Sequence, residues 1–273
     1  GNFYGRLAGP GYGGIYSDEN VFAMIFVVAI PALYFMGAYY KNLILKFGLW
    51  AAIPAAWHAI FLTGSLGGLI SLGVVMGFIA FRSKMKLLII IIPIVFVIVF
   101  LSQGGGYLKE KALGSAGNRD ITSLRTAQTR FDSWTAGFRM MIEHPITGVG
   151  PGNFLRLYSD FSNTRPYVAH NTFIQFSAET GMLSGLMYLL LGWSFLTTYY
   201  RQRRYNSENF DPFLLAVKES ITGGAIGFYC CATFLNLATY EILYLMLVYK
   251  ALLDRLTKEY ILHQSSQPME TVI

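Results

Sequence analysis

The side chains best suited to chemistry lie between Arg130 and Gly181, a long arginine-bearing stretch set between two apolar runs and containing Ala169-His170-Asn171. Arg130 stands one helical turn before Trp134, with no carboxylate in its angular sector. Such a planar fork of donors suits an external phosphate; the other readings are stacking on Trp134 or contact with lipid phosphates. His170 precedes an apolar run that Asn171 or Thr172 can cap as a helix. A helix N-terminus disfavours added positive charge, so His170 is expected as a neutral imidazole able to take a proton. Its bland alternative is a structural histidine at a membrane interface. Glu179 is a second ionisable group near membrane depth, where such groups are functional suspects; its alternative is an ion pair with an arginine of the same stretch. His58 and Glu241 read as structural.

These residues need a scaffold, and a helix over residues 119–144 is its first part. Ile121, Leu124, Ala127, Phe131, Trp134, Phe138, Met141 and Ile142 recur at threes and fours, and Pro145 ends the run. This predicts an amphipathic helix on the outer membrane surface or across the mouth of a bundle, with Phe131, Trp134 and Phe138 turned inward. Arg125, Asp132, Arg139 and Glu143 share one sector, where Arg139 and Glu143 are spaced to pair; Arg119 and Arg130 fall on the other border of the apolar stripe. The run His144-Pro145-Ile146-Thr147-Gly148-Val149-Gly150-Pro151-Gly152-Asn153-Phe154 is expected to be a compact turn that redirects the chain towards the bundle. Its backbone amides are a weaker candidate for cradling an anion.

Composition sets the class of the whole. The chain of 273 residues is 54% hydrophobic and only 13% charged, too apolar for an ordinary soluble domain. About seven candidate spans follow from the need for roughly 20 apolar residues each: Val21 to Tyr39, Phe47 to Leu62, Leu66 to Phe81, Leu87 to Leu101, Met182 to Tyr200, Phe213 to Leu235 and Ile242 to Leu253. The fold class is therefore all-α, a polytopic helical bundle. Lys41 with Lys46, Arg82 with Lys84 and Lys86, Arg201 with Arg203 and Arg204, and Lys250 with Arg255 and Lys258 fall at alternate helix ends. They mark the cytoplasmic side and put the 102–171 segment outside. The parts are then residues 1–101 with about four spans, an outer segment 102–171, residues 172–256 with about three spans, and a cytoplasmic tail 257–273. An odd number of spans beginning outside, and a first residue Gly1, suggest a C-terminal piece of a longer protein. Topology accounts for part of the net charge of +6, so no nucleic acid partner is implied. Cys230 and Cys231 are adjacent in a span and fit no metal spacing.

The order of these features resembles the O-antigen ligase and polymerase superfamily, and in particular the O-antigen ligase-like proteins found beside exosortase systems. The resemblance rests on Asp18-Glu19-Asn20, Leu62-Thr63-Gly64-Ser65-Leu66-Gly67-Gly68, Arg130 with Trp134, the turn from His144 to Gly150, Ala169-His170-Asn171 and Glu179-Thr180-Gly181. It implies a GT-C-like, metal-independent, inverting glycosyltransferase of the bacterial inner membrane that acts without a cofactor and whose active site faces the periplasm. Its donor would be an undecaprenyl diphosphate-linked glycan, its acceptor a hydroxyl of lipid A core, of a protein or of another glycan, with membrane lipids around it. Arg130 would hold the diphosphate and His170 would orient or deprotonate the acceptor, with Trp134, Asn171 and Glu179 as further substrate contacts. No DxD-like metal pair stands in the outer segment. In one place the sequence departs from the family pattern: Leu66 stands where an arginine is usual, and Arg82 is about 24 Å of helix away from it. Either Arg119, Arg125 or Arg6 substitutes, or the protein is a divergent or impaired member. A ligase is the leading reading; a polymerase of the same superfamily, and a non-catalytic polysaccharide exporter or flippase, remain alternatives. Topology gives the first test: a reporter fused after Arg204 should read cytoplasmic and one near Gly117 periplasmic, and reversed signals would remove the basis for the site.

Overall fold

The structure, a computed structural model, describes residues 7–9, 16–83, 122–203 and 211–266, with isolated positions between 87 and 98. The expected span Leu87 to Leu101 and the arginines Arg6 and Arg119 lie almost wholly or wholly outside the described residues. Every described element is helical: α1 Glu19–Tyr39, α2 Leu43–Thr63, α3 Leu66–Arg82, α4 Thr122–Glu143, α5 Tyr158–Phe161, α6 Thr172–Thr180, α7 Met182–Arg203, α8 Pro212–Ala232 and α9 Glu241–Ser266. Two of them, α1 and α2, are long and apolar enough to cross a membrane, and α3 and Met182–Thr197 of α7 are shorter apolar helices.

Short polar residues set the helix ends. The Asp18 carboxylate accepts from the amides of Asn20 and Val21 at the start of α1, and Asn42 does the same for Ile44 and Leu45 in α2. Gly64, at φ 63°, lets α2 stop in a left-handed turn that only glycine adopts freely. Ser65 then accepts from the Gly68 amide and opens α3. Asp211 caps α8, whose first residue is Pro212.

Helix α8 is the hub of the bundle, packing on α1, α3, α7 and α9. Its approach to α1 is close because Gly223, Gly224 and Gly227 face that helix. A Cβ on Gly223 would stand 2.7 Å from Pro31, and one on Gly227 would stand 2.9 Å from both Val27 and Val75. Small residues at this spacing let helix backbones meet at short range, which is how apolar helices gain contact where burial from water contributes little. Val27, Ile30, Leu72, Val75, Ile79 and Phe228 fill the core around the seam.

The two ends of the bundle differ. At one end Arg82 donates through Nε and Nη2 to the two carboxylate oxygens of Glu219, at 3.0 and 2.6 Å, and the Ser83 and Tyr34 hydroxyls meet at 2.5 Å. At the other end Tyr16 donates to Glu241 at 2.7 Å and the Leu7 amide to the Leu62 carbonyl at 3.0 Å. This second end carries the turn between α2 and α3, the α8–α9 connection, and above them α4 to α6.

Two expectations about α4 need correction. Phe131 and Phe138 are turned outward, 58% and 49% exposed; of the three aromatic residues only Trp134 is half-buried. The inner line is Ser133, Ala136, Gly137, Met140 and Met141. Close packing explains it: a Cβ on Gly137 would stand 2.6 Å from Ile174 of α6 and 3.2 Å from Phe154, so bulky side chains do not fit there. Arg139, expected to pair with Glu143, donates instead to the Phe161 carbonyl at 2.8 Å. It thereby fastens α5 under α4.

The glycine seam gives a prediction. Gly227→Leu forces atoms into Val27 and Val75 and should cost about 1–3 kcal/mol, lowering the Tm of the detergent-extracted protein. Gly48→Ala on α2, where an added Cβ meets nothing within 4 Å, should not lower the Tm and should raise it slightly through helix propensity.

Candidate active site

The short helix α6 is the platform of the site. Asn171 caps it by accepting from the Ile174 amide at 3.1 Å. The next residue, Thr172, is fully buried and pins the helix to the α8–α9 connection: its hydroxyl donates to the Leu235 carbonyl at 2.8 Å and accepts from the Leu237 amide at 2.9 Å. The chain has to turn sharply to reach this point, and it turns at His170. His170 has φ 47° and is the sole non-glycine residue with positive φ among the described residues. Histidine tolerates this region better than most residues, but holding it there costs on the order of 1–3 kcal/mol and calls for contacts on both sides.

Helix α4 supplies the second side. Trp134 Nε1 donates to the Ala169 carbonyl at 2.8 Å, and Ser133 Oγ lies 2.9 Å from the Thr129 carbonyl and 3.2 Å from that of Tyr167. One turn earlier on the same helix comes Arg130, half-buried. Its Nε is shielded from solvent and has no hydrogen-bond partner among the described residues. A buried guanidinium nitrogen left without an acceptor is rare in a folded protein. The Tyr167 ring lies against the His170 imidazole, with centroids 5.1 Å apart.

Burial lowers the pKa of His170 below the ordinary 6.5, and the positive charge of Arg130 lowers it further; the Asp18 carboxylate, at the start of α1, opposes both. The product is an imidazole held neutral beside a cation with a free donor. That pair can accept a proton and hold an anion at once. Asp18, part of a motif that carried the resemblance but given no role at the site, is the charged neighbour of His170 that sequence reasoning missed.

Glu179 has a different surrounding. Its carboxylate accepts from the amides of Gly152 and Phe154 at 3.0 and 3.3 Å and from Gln175 Nε2 at 3.3 Å. The 144–154 turn is clasped to the end of α6 by further bonds, from Val149 to Ala178, Gly150 to Glu179 and Met182 to Pro145. A Cβ on Gly148, at φ 63°, would overlap the Glu179 carbonyl carbon, so a side chain there has neither the space nor the backbone geometry. The turn does redirect the chain, and α6 is what it grips.

Among the expected site residues, then, His170 and Arg130 come together, with Trp134 and Asn171 bonded to backbone beside them, while Glu179 stands at the far end of α6, bonded to the 144–154 turn. Arg125 is in the first turn of α4, where the backbone alone is described, and Arg119 lies outside the described residues. Leu66 opens α3 at the same end of the bundle. Among the described residues no three His, Cys, Asp or Glu side chains gather as metal ligands.

A family described as O-antigen ligase matches residues 47–189, just over half of the chain, from the first turns of α2 through α4 and α6 into α7. The chain belongs to the O-antigen ligase family. It is accordingly a membrane protein of a group whose members act on lipid-linked glycans and acceptors. Arg130, His170 and the turn at Gly148 all fall inside the matched region, while Asp18 and the helices α8 and α9 lie outside it. No curated protein matches the chain.

The electrostatics predict the titration of His170. At pH 6.5 it should be mostly neutral, and since the unfolded chain binds its proton more readily, folding stability falls as pH drops below that value. Arg130→Gln should raise this pKa and Asp18→Asn, which preserves a helix cap, should lower it further. Histidine NMR of the three proteins checks both signs; an Asp18→Asn shift upward would contradict the arrangement.

Proposed function

We propose that the protein transfers a glycan from undecaprenyl diphosphate to an acceptor hydroxyl on the periplasmic face of the inner membrane, as a ligase rather than a polymerase. The observation that carries this reading is the neutral-held His170 beside the unpartnered Arg130 Nε, in a chain of the O-antigen ligase family.

The chemistry follows from those two groups. The acceptor oxygen attacks the anomeric carbon while the bond from that carbon to the diphosphate oxygen breaks. The attack comes from the side opposite the leaving group, so the configuration inverts. The acceptor's proton passes to the His170 imidazole, and the electron pair of the broken bond stays on the diphosphate. Arg130 stabilises that added charge, and its two-pronged donors match two phosphate oxygens. Arg119 and Arg125 are the further cations for the second phosphate, in the role that Leu66 does not fill.

Arg130→Lys retains the charge and loses the fork, so turnover should fall about a hundredfold. His170→Ala should leave binding of the lipid-linked donor intact and abolish transfer, because the lost interaction belongs to the transition state. Purified full-length protein in membrane, given donor and acceptor, provides the measurement, and wild-type transfer by His170→Ala sinks the assignment. In cells that lack the protein the donor should accumulate on the outer face of the membrane; accumulation on the inner face would mark a flippase.

A further inference from the structure

His170 is gripped through its backbone from two directions, and one grip belongs to the helix that carries Arg130. On the α6 side, Asn171 and Thr172 fix the residues that follow the histidine. On the α4 side, Trp134 and Ser133 reach the carbonyls of Ala169 and Tyr167, which precede it. Ser133 and Ala169 are fully buried, so each bond has one partner shielded from solvent, for which water is a poor substitute when the other is lost. Between the two grips lies the one left-handed non-glycine residue described.

We propose that Trp134 and Ser133 are positioning residues that hold His170 on the α4 side of the site, so that a single helix sets both the base and the cation of the reaction. Trp134 follows Arg130 by one turn, and any movement of α4 therefore carries the guanidinium and the backbone of the histidine together. This rests on the reading of His170 as the base. It gives Trp134 a task through its N–H, distinct from stacking of its ring, whose edge contact in the structure is with Phe131 at 5.4 Å. The charged and titratable groups facing the imidazole are Arg130 from α4, Asp18 from the start of α1 and Tyr167 from its own strand of chain.

The test uses the full-length protein in membrane, an undecaprenyl diphosphate-linked glycan and its acceptor. Trp134→Phe keeps an aromatic ring and removes the donor. The kcat for transfer should fall ten- to a hundredfold with the donor KM unchanged. The acid limb of the pH–rate profile should also move up towards the ordinary imidazole value, because a released His170 is better solvated and further from Arg130. Ser133→Ala should shift both readouts the same way by less, and it decides the matter if the phenylalanine variant does not fold. A wild-type rate with an unmoved profile overturns the proposal, as does lost activity with a raised donor KM and an unmoved profile, which is what general disruption produces. His170→Ala, run alongside, separates the claims. If it transfers normally, the base reading fails and this proposal with it; if it is inactive while Trp134→Phe and Ser133→Ala behave as wild type, the positioning role alone fails.

Discussion

One buried hydroxyl joins the candidate site to the bundle. Thr172 Oγ bridges the Leu235 carbonyl and the Leu237 amide, and in an apolar surrounding each of those backbone groups would be costly to leave unpaired. The bond pair fixes where α6 begins. Once it begins there, Asn171 must cap it, His170 must turn into the left-handed region to reach the cap, and α4 must lie where its small inner residues meet Ile174 and Phe154. The clasp at the far end, from Glu179 to Gly152 and Phe154, stops α6 from sliding along its axis. A helix of this length has little stability of its own, and both of its ends are held by residues distant in sequence.

The helices were largely legible because apolar length and capping residues state them directly. At two of the boundaries that differ, charged residues are the cause. Helix α2 begins at Leu43 rather than Phe47 because Lys46 fits inside it, its ammonium lying over the Trp50 ring at 4.9 Å. Helix α9 runs on past Leu253 because Lys250 with Asp254 and Arg255 with Glu259 pair at helical spacing, which extends a helix without apolar residues. The inner face of α4 was misread for the opposite reason: a stripe of large apolar residues looks like a core face, but closeness here is achieved by Ser133, Ala136 and Gly137. At the site, residue types marked out His170 and Arg130. The backbone of His170 and the nearness of Asp18 depend on tertiary placement, and nothing local in the sequence encodes them. Glu179 was marked as an ionisable group without any sign that three donors from the protein would occupy it.

Charge is handled oppositely at the two ends of the bundle. Glu219 is nearly inaccessible and is satisfied by both prongs of Arg82, an arrangement in which neither ion is left to bear its desolvation alone. At the other end Arg130 has an Nε that no acceptor among the described residues meets, and burial together with that charge disfavours a second positive charge on the imidazole. The same residue type thus closes a structure at one end and leaves a valence open at the other.

The glycine seam between α1 and α8 also governs how the chain can be made. The two faces that fit each other lie about 200 residues apart, and a ribosome adding some 5–20 residues each second takes roughly 10–40 s to cover that distance. During that time α1 sits in lipid with its main partner not yet synthesised, and Asp18 is fixed in no relation to His170. His170 and its electrostatic neighbour Asp18 therefore reach their final relation only after α8 has arrived, so the candidate site is completed well after its own residues have been made.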